Sequence, residues 1–258
     1  MADRYLAELF SLSGRTAVVT GGSSGIGAAI AEALGRAGAN VVVLARREGP
    51  LRDTVRRLRA AGVAAEMVSV DLGDRAALHQ AAQAAAQHFG EPDILVNSAA
   101  VNLRPPLPEL TEAQWDLTLE VNLTAPFLLG QRYGPGMAER GWGRLITIAS
   151  QQSHRAFGNS GGYGASKAGV VGLVRSQAEA WSSRGVCANA IGPSFVHTPL
   201  TAEVFADPAR TAKLAASTMI GRNGLPADYA GVAVFLAGRA ADYVTGQLLF
   251  VDGGFSAA

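Results

Sequence analysis

Short apolar runs alternate with segments of helical periodicity along nearly the whole chain. The apolar runs are rich in β-branched residues and contain few polar positions, as in NVVVLA at residues 40–45 and RLITIAS at residues 144–150. Continuous apolar strands that alternate with amphipathic helices are typical of a parallel sheet buried on both faces. We therefore predict an α/β fold with a doubly wound parallel sheet and helices on both faces.

The alternation is interrupted once. No linker, repeat or low-complexity tract divides the chain, which predicts a single domain over residues 1–258. At about residues 198–223, however, the segment TPLTAEVFADPARTAKLAASTMIGRN separates the last strand–helix pair from the rest. In open α/β sheets a ligand lies beyond the carboxyl ends of the strands. We expect this segment, which follows such an end, to form a substrate lid.

Composition and charge narrow the classes of partner. The 258 residues are 48% hydrophobic and 17% charged, with a formal net charge of +1 and no basic cluster. This balance argues against nucleic acid and anionic membranes as partners, and no apolar run reaches the roughly 20 residues of a membrane span. The first residues lack the apolar core of a signal peptide, and the single cysteine, Cys187, cannot form an intramolecular disulfide. We expect a cytoplasmic protein with a small-molecule substrate.

A glycine-rich loop, TGGSSGIG, directly follows the first strand and opens the first helix. Glycines allow the backbone to turn sharply and to approach a pyrophosphate, while the helix N-terminus supplies free N–H groups and partial positive charge. An ordinary tight turn is the alternative, but the position at the start of a βαβ unit favours a dinucleotide site. Its residues would be Thr20, Gly21, Ser23, Ser24, Gly25, Ile26 and Gly27.

The end of the second strand, VVVLARR, indicates which dinucleotide. An acidic residue here would bind the adenosine ribose hydroxyls of NAD, but Ala45 stands in its place. Arg46 and Arg47 follow, and a guanidinium group pairs well with a phosphate. The sequence favours NADP(H), with NAD(H) still open because both arginines could be solvated. Asp71 and Asn97 end the next two strands, where they either face the ligand or form turns.

Three polar residues have the chemistry of a carbonyl reductase. Ser150 ends a strand thirteen residues before Tyr163, and Lys167 lies one helical turn after the tyrosine. A hydroxyl can stabilise a developing oxyanion, and a phenol beside a cation can exchange a proton near neutral pH. An exposed Tyr–Lys pair without function is the alternative. Asn122 lies in an apolar helical stretch, where it either holds a kink and a water or breaks the helix before Pro126.

Taken together, these motifs resemble the short-chain dehydrogenase/reductase family from about Ser11 to the end of the chain. The resemblance rests on the glycine loop, Asn97, Asn122, Ser150, Tyr163 and Lys167 in this order and spacing. It implies a Rossmann-like, seven-stranded parallel sheet and hydride transfer to and from a nicotinamide. Tyr163 would be the acid/base, and Lys167 would lower its pKa and bind the ribose. Ser150 would orient the carbonyl, and Asn122 would support a proton-relay water.

The resemblance also implies further cofactor contacts and an assembly. Family members usually form homotetramers through the long helices that contain Asn122 and Tyr163 and through the C-terminal region. Two motifs depart from the family pattern, because NSAA ends the fourth strand and Ser194 replaces a glycine after the sixth. No catalytic residue is lost by either change. The additional cofactor positions implied are Asp71, Leu72, Ala99, Pro193, Val196 and Thr198.

The substrate is indicated only by polar residues near the predicted crevice. Arg104, Gln152, His154 and Ser194 favour a small hydroxylated or anionic substrate, and the chain termini look most like the gluconate 5-dehydrogenase and sugar-dehydrogenase branch. A 3-oxoacyl-carrier-protein reductase is the alternative, and a nucleotide-binding sensor without catalysis is a third hypothesis. A hydrolase is disfavoured because Ser150 lacks the G-x-S-x-G elbow. The four histidines have no metal-ligand spacing, so we expect no metal site.

Overall fold

In the part of the chain that the structure describes, seven strands form one parallel sheet in the order β3-β2-β1-β4-β5-β6-β7. We describe residues 2–257 from a computed structural model. Every neighbouring pair of strands is parallel, which confirms the predicted Rossmann-like α/β class. The strands are β1 (Thr16–Thr20), β2 (Asn40–Ala45), β3 (Ala65–Ser69), β4 (Ile94–Asn97), β5 (Gly143–Ile148), β6 (Val186–Pro193) and β7 (Leu248–Val251).

Ten α-helices accompany these strands within residues 2–257. They are α1 (Ala2–Phe10), α2 (Gly25–Arg36), α3 (Glu48–Ala60), α4 (Arg75–Phe89), α5 (Glu112–Leu119), α6 (Ala125–Glu139), α7 (Gly161–Trp181), α8 (Ala202–Phe205), α9 (Pro208–Ala216) and α10 (Ala230–Ala237). The first helix was not predicted from the sequence. None of the described helices is both long and apolar enough to cross a bilayer.

Two apolar cores lie on opposite faces of the sheet. Along β1, Ala17 and Val19 join the core beneath α2, α3 and α10, whereas Val18 joins the core beneath α4, α6 and α7. Because successive side chains of a strand point to opposite faces, an uninterrupted apolar run supplies both cores at once. Cys187 is buried in β6, as predicted.

The long helical region before β5 contains a wide turn. Helix α5 continues into a π-helical turn, Glu120–Thr124, and then into α6. Pro126, which has no N–H to donate, lies in the first turn of α6. The predicted kink at Asn122 is therefore a widened turn and not a helix end, and such turns often occur at functional sites.

The segment at residues 198–223 contains the short helices α8 and α9. It begins with a 3-10 turn, Pro199–Thr201, in which the Thr198 and Thr201 hydroxyls lie 3.0 Å apart. Asp207 caps α9 by accepting hydrogen bonds from the N–H groups of Ala209 and Arg210. A β-bridge between Val196 and Gly224 joins the two ends of the segment. The segment is therefore a loop that leaves the sheet and returns to the same place.

Candidate active site

A cleft of about 420 Å³ lies across the carboxyl ends of the first six strands. This is the edge at which open parallel sheets bind their ligands. Most of the residues predicted to bind a dinucleotide line this cleft. They are Gly21, Ser23, Ser24, Gly25, Ile26, Gly27, Arg46, Arg47, Asp71, Leu72, Ala99, Tyr163, Lys167, Pro193, Val196 and Thr198.

The glycine loop has the shape that a pyrophosphate requires. Gly21 and Gly25 have φ values of +68° and +56°, in the left-handed region that favours glycine. A Cβ atom on Gly21 would lie 2.7 Å from the backbone nitrogen of Ala99, and one on Gly25 would lie 3.0 Å from Cγ2 of Thr198. Ser24 precedes α2 without a side-chain cap, which leaves the first N–H groups of this helix free for an anion.

Arg46 and Arg47 line the opposite end of the cleft, beside Ala45. The guanidinium of Arg46 lies 3.6 Å from the carboxylate of Asp71. Asp71 also accepts a hydrogen bond from the N–H of Gly73 at 2.9 Å. This end of the cleft therefore presents two arginines, one of which is already oriented by an ion pair.

Thr20 and Asn97 do not line the cleft, in contrast to the prediction. The Thr20 hydroxyl accepts hydrogen bonds from the N–H groups of Ser98 and Ala99 at 3.1 and 3.2 Å. Asn97 is buried, and its Nδ2 donates to the Thr147 hydroxyl at 3.4 Å. Thr20 thus supports the loop after β4, which forms part of the cleft wall, and Asn97 bonds across to the neighbouring strand β5.

Ser150, Tyr163 and Lys167 meet at one wall of the cleft. Ser150 follows β5, and its Oγ accepts a hydrogen bond from the N–H of Gln152 at 3.1 Å. Tyr163 and Lys167 lie on α7 and are 9% and 3% exposed. The ammonium nitrogen of Lys167 lies 5.7 Å from the centroid of the Tyr163 ring. The predicted pair is thus buried and not an exposed surface pair.

The pKa values of this pair depart from their ordinary ranges. Burial raises the pKa of Tyr163, while its hydrogen bond with Ser150 and the positive charge of Arg104 oppose this shift. The net direction is the reverse of the lowering expected from the sequence, because desolvation of the phenolate outweighs the two favourable contacts. Burial also lowers the pKa of Lys167 to about 8.

The Asn122 side chain is held by the backbone of Val101 and by the hydroxyl of Ser166. Its Oδ1 accepts from the N–H of Val101 at 2.9 Å, and its Nδ2 donates to the Val101 carbonyl oxygen at 2.9 Å and to Ser166 Oγ at 3.1 Å. Asn122 itself does not line the cleft, although its neighbours Val101 and Val121 do. The asparagine therefore ties the wide turn to the loop that follows β4.

The predicted substrate residues divide into two groups. Ser194 lines the cleft, whereas Arg104, Gln152 and His154 do not. Gln152 is buried, with no partner for its side-chain oxygen, and His154 is exposed and packs against the Phe250 ring at 5.4 Å. Arg104 lies behind the wall, where it donates a hydrogen bond to the Gly158 carbonyl oxygen at 3.1 Å.

Two features of the site were missed from the sequence. Arg104 was assigned to the substrate, but its charge also acts on Tyr163. Leu200 and Thr201 line the cleft together with Thr198, at the start of the expected lid. The first feature has no local signal, because Arg104 and Tyr163 are far apart in the chain. The second could have been inferred from the chain direction after β6.

Comparison with known proteins agrees with this fold. A family model described as enoyl-(acyl carrier protein) reductase matches residues 21–256. Gluconate 5-dehydrogenase of Gluconobacter oxydans (strain 621H) is 36% identical over 249 residues, which cover 96% of this chain and 97% of the relative. The fold and the comparisons thus define a dinucleotide-dependent oxidoreductase.

Two crystal structures are also similar. A gluconate 5-dehydrogenase from Burkholderia cenocepacia J2315, in complex with NADP and tartrate, has 35% identity and a TM-score of 0.93, with 98% of this chain and 99% of that chain covered. A candidate NAD(P)-dependent gluconate 5-dehydrogenase from Beutenbergia cavernae, with NADP at low occupancy, has 43% identity, a TM-score of 0.93 and coverage of 96% and 99%. The chain belongs to the short-chain dehydrogenase/reductase family.

Proposed function

We propose that this protein is an NADP(H)-dependent dehydrogenase/reductase that interconverts a secondary alcohol and a ketone on a small hydroxylated carboxylate, such as a sugar acid. One observation supports this most directly. Ser150, Tyr163 and Lys167 line the same cleft as an uncapped helix N-terminus and a pair of arginines. A carbonyl held at the first three residues would lie within the same cleft as a dinucleotide held at the others.

The residues present fit NADP(H). The free N–H groups of α2 suit the pyrophosphate, and the close approach at Gly21 and Gly25 leaves no room for a Cβ in the loop that would hold it. Arg46 and Arg47 suit the ribose phosphate, which NAD(H) lacks. When bound, the nicotinamide supplies or accepts the hydride. Two similar crystal structures, which contain NADP, agree with this assignment.

We assign the proton to Tyr163 Oη. In reduction the phenol donates it to the developing alkoxide, and in oxidation the phenolate accepts it. The Ser150 hydroxyl orients the carbonyl and donates a hydrogen bond to its oxygen as charge develops. Lys167 stabilises the phenolate and binds the nicotinamide ribose. Its ammonium already donates to the Ile148 carbonyl oxygen at 2.6 Å, which fixes its direction along the cleft wall.

Asn122 supports the proton relay indirectly. Because its side chain is engaged with Val101 and Ser166, a relay water would have to bind the backbone of the wide turn Glu120–Thr124 and not this amide. In our proposal the asparagine maintains the turn beside Lys167, and loss of the amide would disturb the turn and the Val101 loop together.

The substrate class follows from charge near the reacting centre. Arg104 is half-buried and has no carboxylate partner among residues 2–257, and Ser194 adds a hydroxyl on the other side. Arg104 does not line the cleft, but its positive charge, which acts on Tyr163, would attract a substrate carboxylate from behind the wall, and a substrate hydroxyl would bond to Ser194 in the cleft. Gluconate in the name of one relative and tartrate in a similar structure belong to this chemical class.

A 3-oxoacyl-carrier-protein reductase is the second candidate, favoured by the description of the matching family model. The two functions differ in what must pass through the mouth of the cleft. An acyl carrier substrate brings a long apolar arm, whereas a sugar acid is compact and polar. A sensor without catalysis is less favoured, because Ser150, Tyr163 and Lys167 are all present.

The test is a titration followed by a substrate panel. NADPH and NADH binding would be measured by fluorescence, and 5-ketogluconate, related keto acids and acetoacetyl-coenzyme A would then be offered with the preferred cofactor. We expect tighter NADPH binding and turnover of the keto sugar acids. Turnover of acetoacetyl-coenzyme A alone would favour the second candidate, and tight binding without turnover of any compound would favour the sensor.

We also propose a cytoplasmic homotetramer. Exposed Leu117 and Phe127 lie on the α5–α6 region, and a Cβ on Gly172 of α7 would meet nothing within 4 Å. Close packing of these helices between subunits would cover such apolar and small-residue surfaces. Light scattering of the purified protein would give the mass, and a monomer at micromolar concentration would contradict the assembly.

A further inference from the structure

A small apolar cluster lies apart from the two cores of the sheet. Phe195, Phe255, Val204 and Leu214 are buried in it, and Phe157 packs against them. The Phe195 ring lies 5.1 Å from Phe157 and 6.1 Å from Phe255 between centroids. We call these five residues the aromatic cluster. Its members come from the loop after Ser150, the end of β6, helices α8 and α9, and the chain after β7.

Phe255 is held in this cluster by a rigid turn. The Asp252 carboxylate accepts hydrogen bonds from the N–H groups of Gly254 at 3.0 Å and Ser256 at 2.8 Å. The Gly253 carbonyl oxygen accepts a hydrogen bond from the N–H of Ile220 at 3.1 Å. These hydrogen bonds hold the backbone around Phe255 without help from the cluster, so its ring offers a fixed surface against which α8, α9 and the Phe157 loop can pack.

The aromatic cluster lies behind two walls of the substrate end of the cleft. On one side, Phe157 packs under the guanidinium of Arg104, at 5.6 Å, and Arg104 bonds to the adjacent Gly158 carbonyl. On the other side, Thr198 to Thr201 line the cleft and lead directly into α8, which contributes Val204. The same ring stack therefore touches the support of Arg104 and the helices of the expected lid.

We propose that Phe255 is a positioning residue that holds α8, α9 and the Phe157 loop in the arrangement that binds substrate. The inference rests on the function proposed above and deepens it, because it concerns the same site. Phe255 touches neither the cleft nor the catalytic residues, and it acts through Phe195 and Phe157. Phe255 determines the fraction of protein molecules in which the substrate site is formed. It leaves the rate of the chemical step unchanged.

Substitution should therefore separate KM from kcat. When only a fraction of the protein is competent to bind, the apparent dissociation constant rises by the inverse of that fraction. For Phe255→Ala we expect KM for the substrate to rise ~10-fold, because a population of roughly one tenth would be competent. Saturating substrate restores the arrangement, so kcat should change by less than about twofold on the same argument.

Cofactor affinity should be nearly unaffected. The turn Pro199–Thr201, which lines the cofactor cleft, is tied to the segment that follows β6 by the hydrogen bond from the Thr201 hydroxyl to the Val196 carbonyl oxygen. This bond does not involve the aromatic cluster. We expect the dissociation constant for NADPH to change by less than about twofold in Phe255→Ala, since its contacts precede α8.

The experiment combines kinetics with trypsin cleavage. Arg210 and Lys213 are exposed on α9, but cleavage within a helix requires local opening. Phe255→Ala should increase cleavage after these two residues ~5-fold or more, while cleavage after Arg56 of α3 stays at the wild-type rate. Phe255→Leu should return both KM and the cleavage rate most of the way to the wild-type values, because the leucine side chain refills the site. Tyr243→Ala, at a fully exposed position, is the matched control.

The outcomes distinguish this inference from the proposed function. Unchanged cleavage of α9 in Phe255→Ala would overturn the positioning role, as would equal acceleration at Arg56, which reports general destabilisation. A fall in kcat as large as the rise in KM would overturn it as well. If the wild type turns over no sugar acid, the proposed function fails, whereas the cleavage comparison still decides the role of Phe255. If Phe255→Ala does not fold, Phe255→Val, which removes fewer atoms, provides the same comparison over a smaller range.

Discussion

The ammonium of Lys167 donates a hydrogen bond to the carbonyl oxygen of Ile148 at 2.6 Å and has no carboxylate partner among residues 2–257. A buried ammonium that bonds only to neutral groups remains expensive to charge, and this explains the lowering of its pKa to about 8 from a usual 10.5. The charge of Lys167, to which our proposal assigns the stabilisation of the Tyr163 phenolate, is thus held at a cost to the stability of the fold.

This cost predicts how stability depends on pH. Below pH 8 the lysine is protonated in both the folded and the unfolded protein, and the full penalty is present. Between about pH 8 and pH 10.5 only the unfolded chain holds the proton, so folding becomes more favourable as the pH rises. From pH 7 to pH 9.5 we expect the free energy of unfolding to rise by about 2 kcal/mol in the wild type relative to Lys167→Met.

Urea unfolding of both proteins across this range is the measurement, and the difference between them removes the contributions of other groups. Lys213→Met, which removes an exposed lysine, is the matched control and should run parallel to the wild type. A constant difference between wild type and Lys167→Met would show that the lysine is not destabilised by burial.

Tyr163→Phe should lower turnover ~1000-fold, within the range that loss of a general acid costs. The ring and its packing are retained, so the dissociation constant for NADPH should stay within about twofold of the wild type. Steady-state kinetics and fluorescence titration are the measurements, with Tyr243→Phe at the exposed position as control. A variant that turns over like the wild type would assign the proton to another group.

Arg46→Ala should weaken NADPH binding ~10-fold or more, because the hydrogen bond between the guanidinium and the ribose phosphate is lost. The affinity for NADH, which lacks this phosphate, should change by less than about threefold. Arg52→Ala removes an arginine from α3 that pairs with Glu48 outside the cleft and should leave both affinities unchanged. Titration of each variant with both cofactors gives the ratio of the dissociation constants for NADPH and NADH. Equal losses for the two cofactors would overturn the assignment of the ribose phosphate to Arg46.

Gly25→Ala should weaken the binding of both NADPH and NADH ~10-fold or more, because the new Cβ faces Thr198 and the backbone at this position has a positive φ. Gly231→Ala is the matched control. A Cβ at Gly231 would meet nothing within 4 Å in helix α10, so this change should raise the free energy of unfolding by about 0.5–1 kcal/mol and leave binding unaltered. Wild-type cofactor affinity in Gly25→Ala would show that the loop does not hold the pyrophosphate.

The sequence was sufficient for the sheet and the cofactor end of the cleft, because both have local signals. Strands buried on two faces appear as apolar runs, and the glycine loop lies at the junction of a strand and a helix. The positions of Ala45 and Arg46 in the cofactor site could be predicted for the same reason, because both lie at the end of the second strand. Each of these features depends on residues within one βαβ unit, where spacing along the chain and distance in space are closely related.

The electrostatics of the substrate end could not be predicted in this way. The pKa of Tyr163 depends on burial beneath distant segments and on Arg104, and the bonds of Asn122 reach Val101 and Ser166. The wide turn at Glu120–Thr124 has no sequence signature apart from the polar Asn122. These properties result from tertiary packing, which a pattern of polar and apolar positions does not contain.

The strand order also has a consequence for how the chain emerges during synthesis. β1 is a central strand, and one of its two neighbours, β4, is made only after β2, β3 and the helices between them. Until Ile94–Asn97 arrives, a sheet of the first three strands presents one long edge of β1 with unpaired N–H and carbonyl groups. The nascent first third of this enzyme is therefore open to pairing with other chains, and it should depend on chaperones or rapid elongation at that stage.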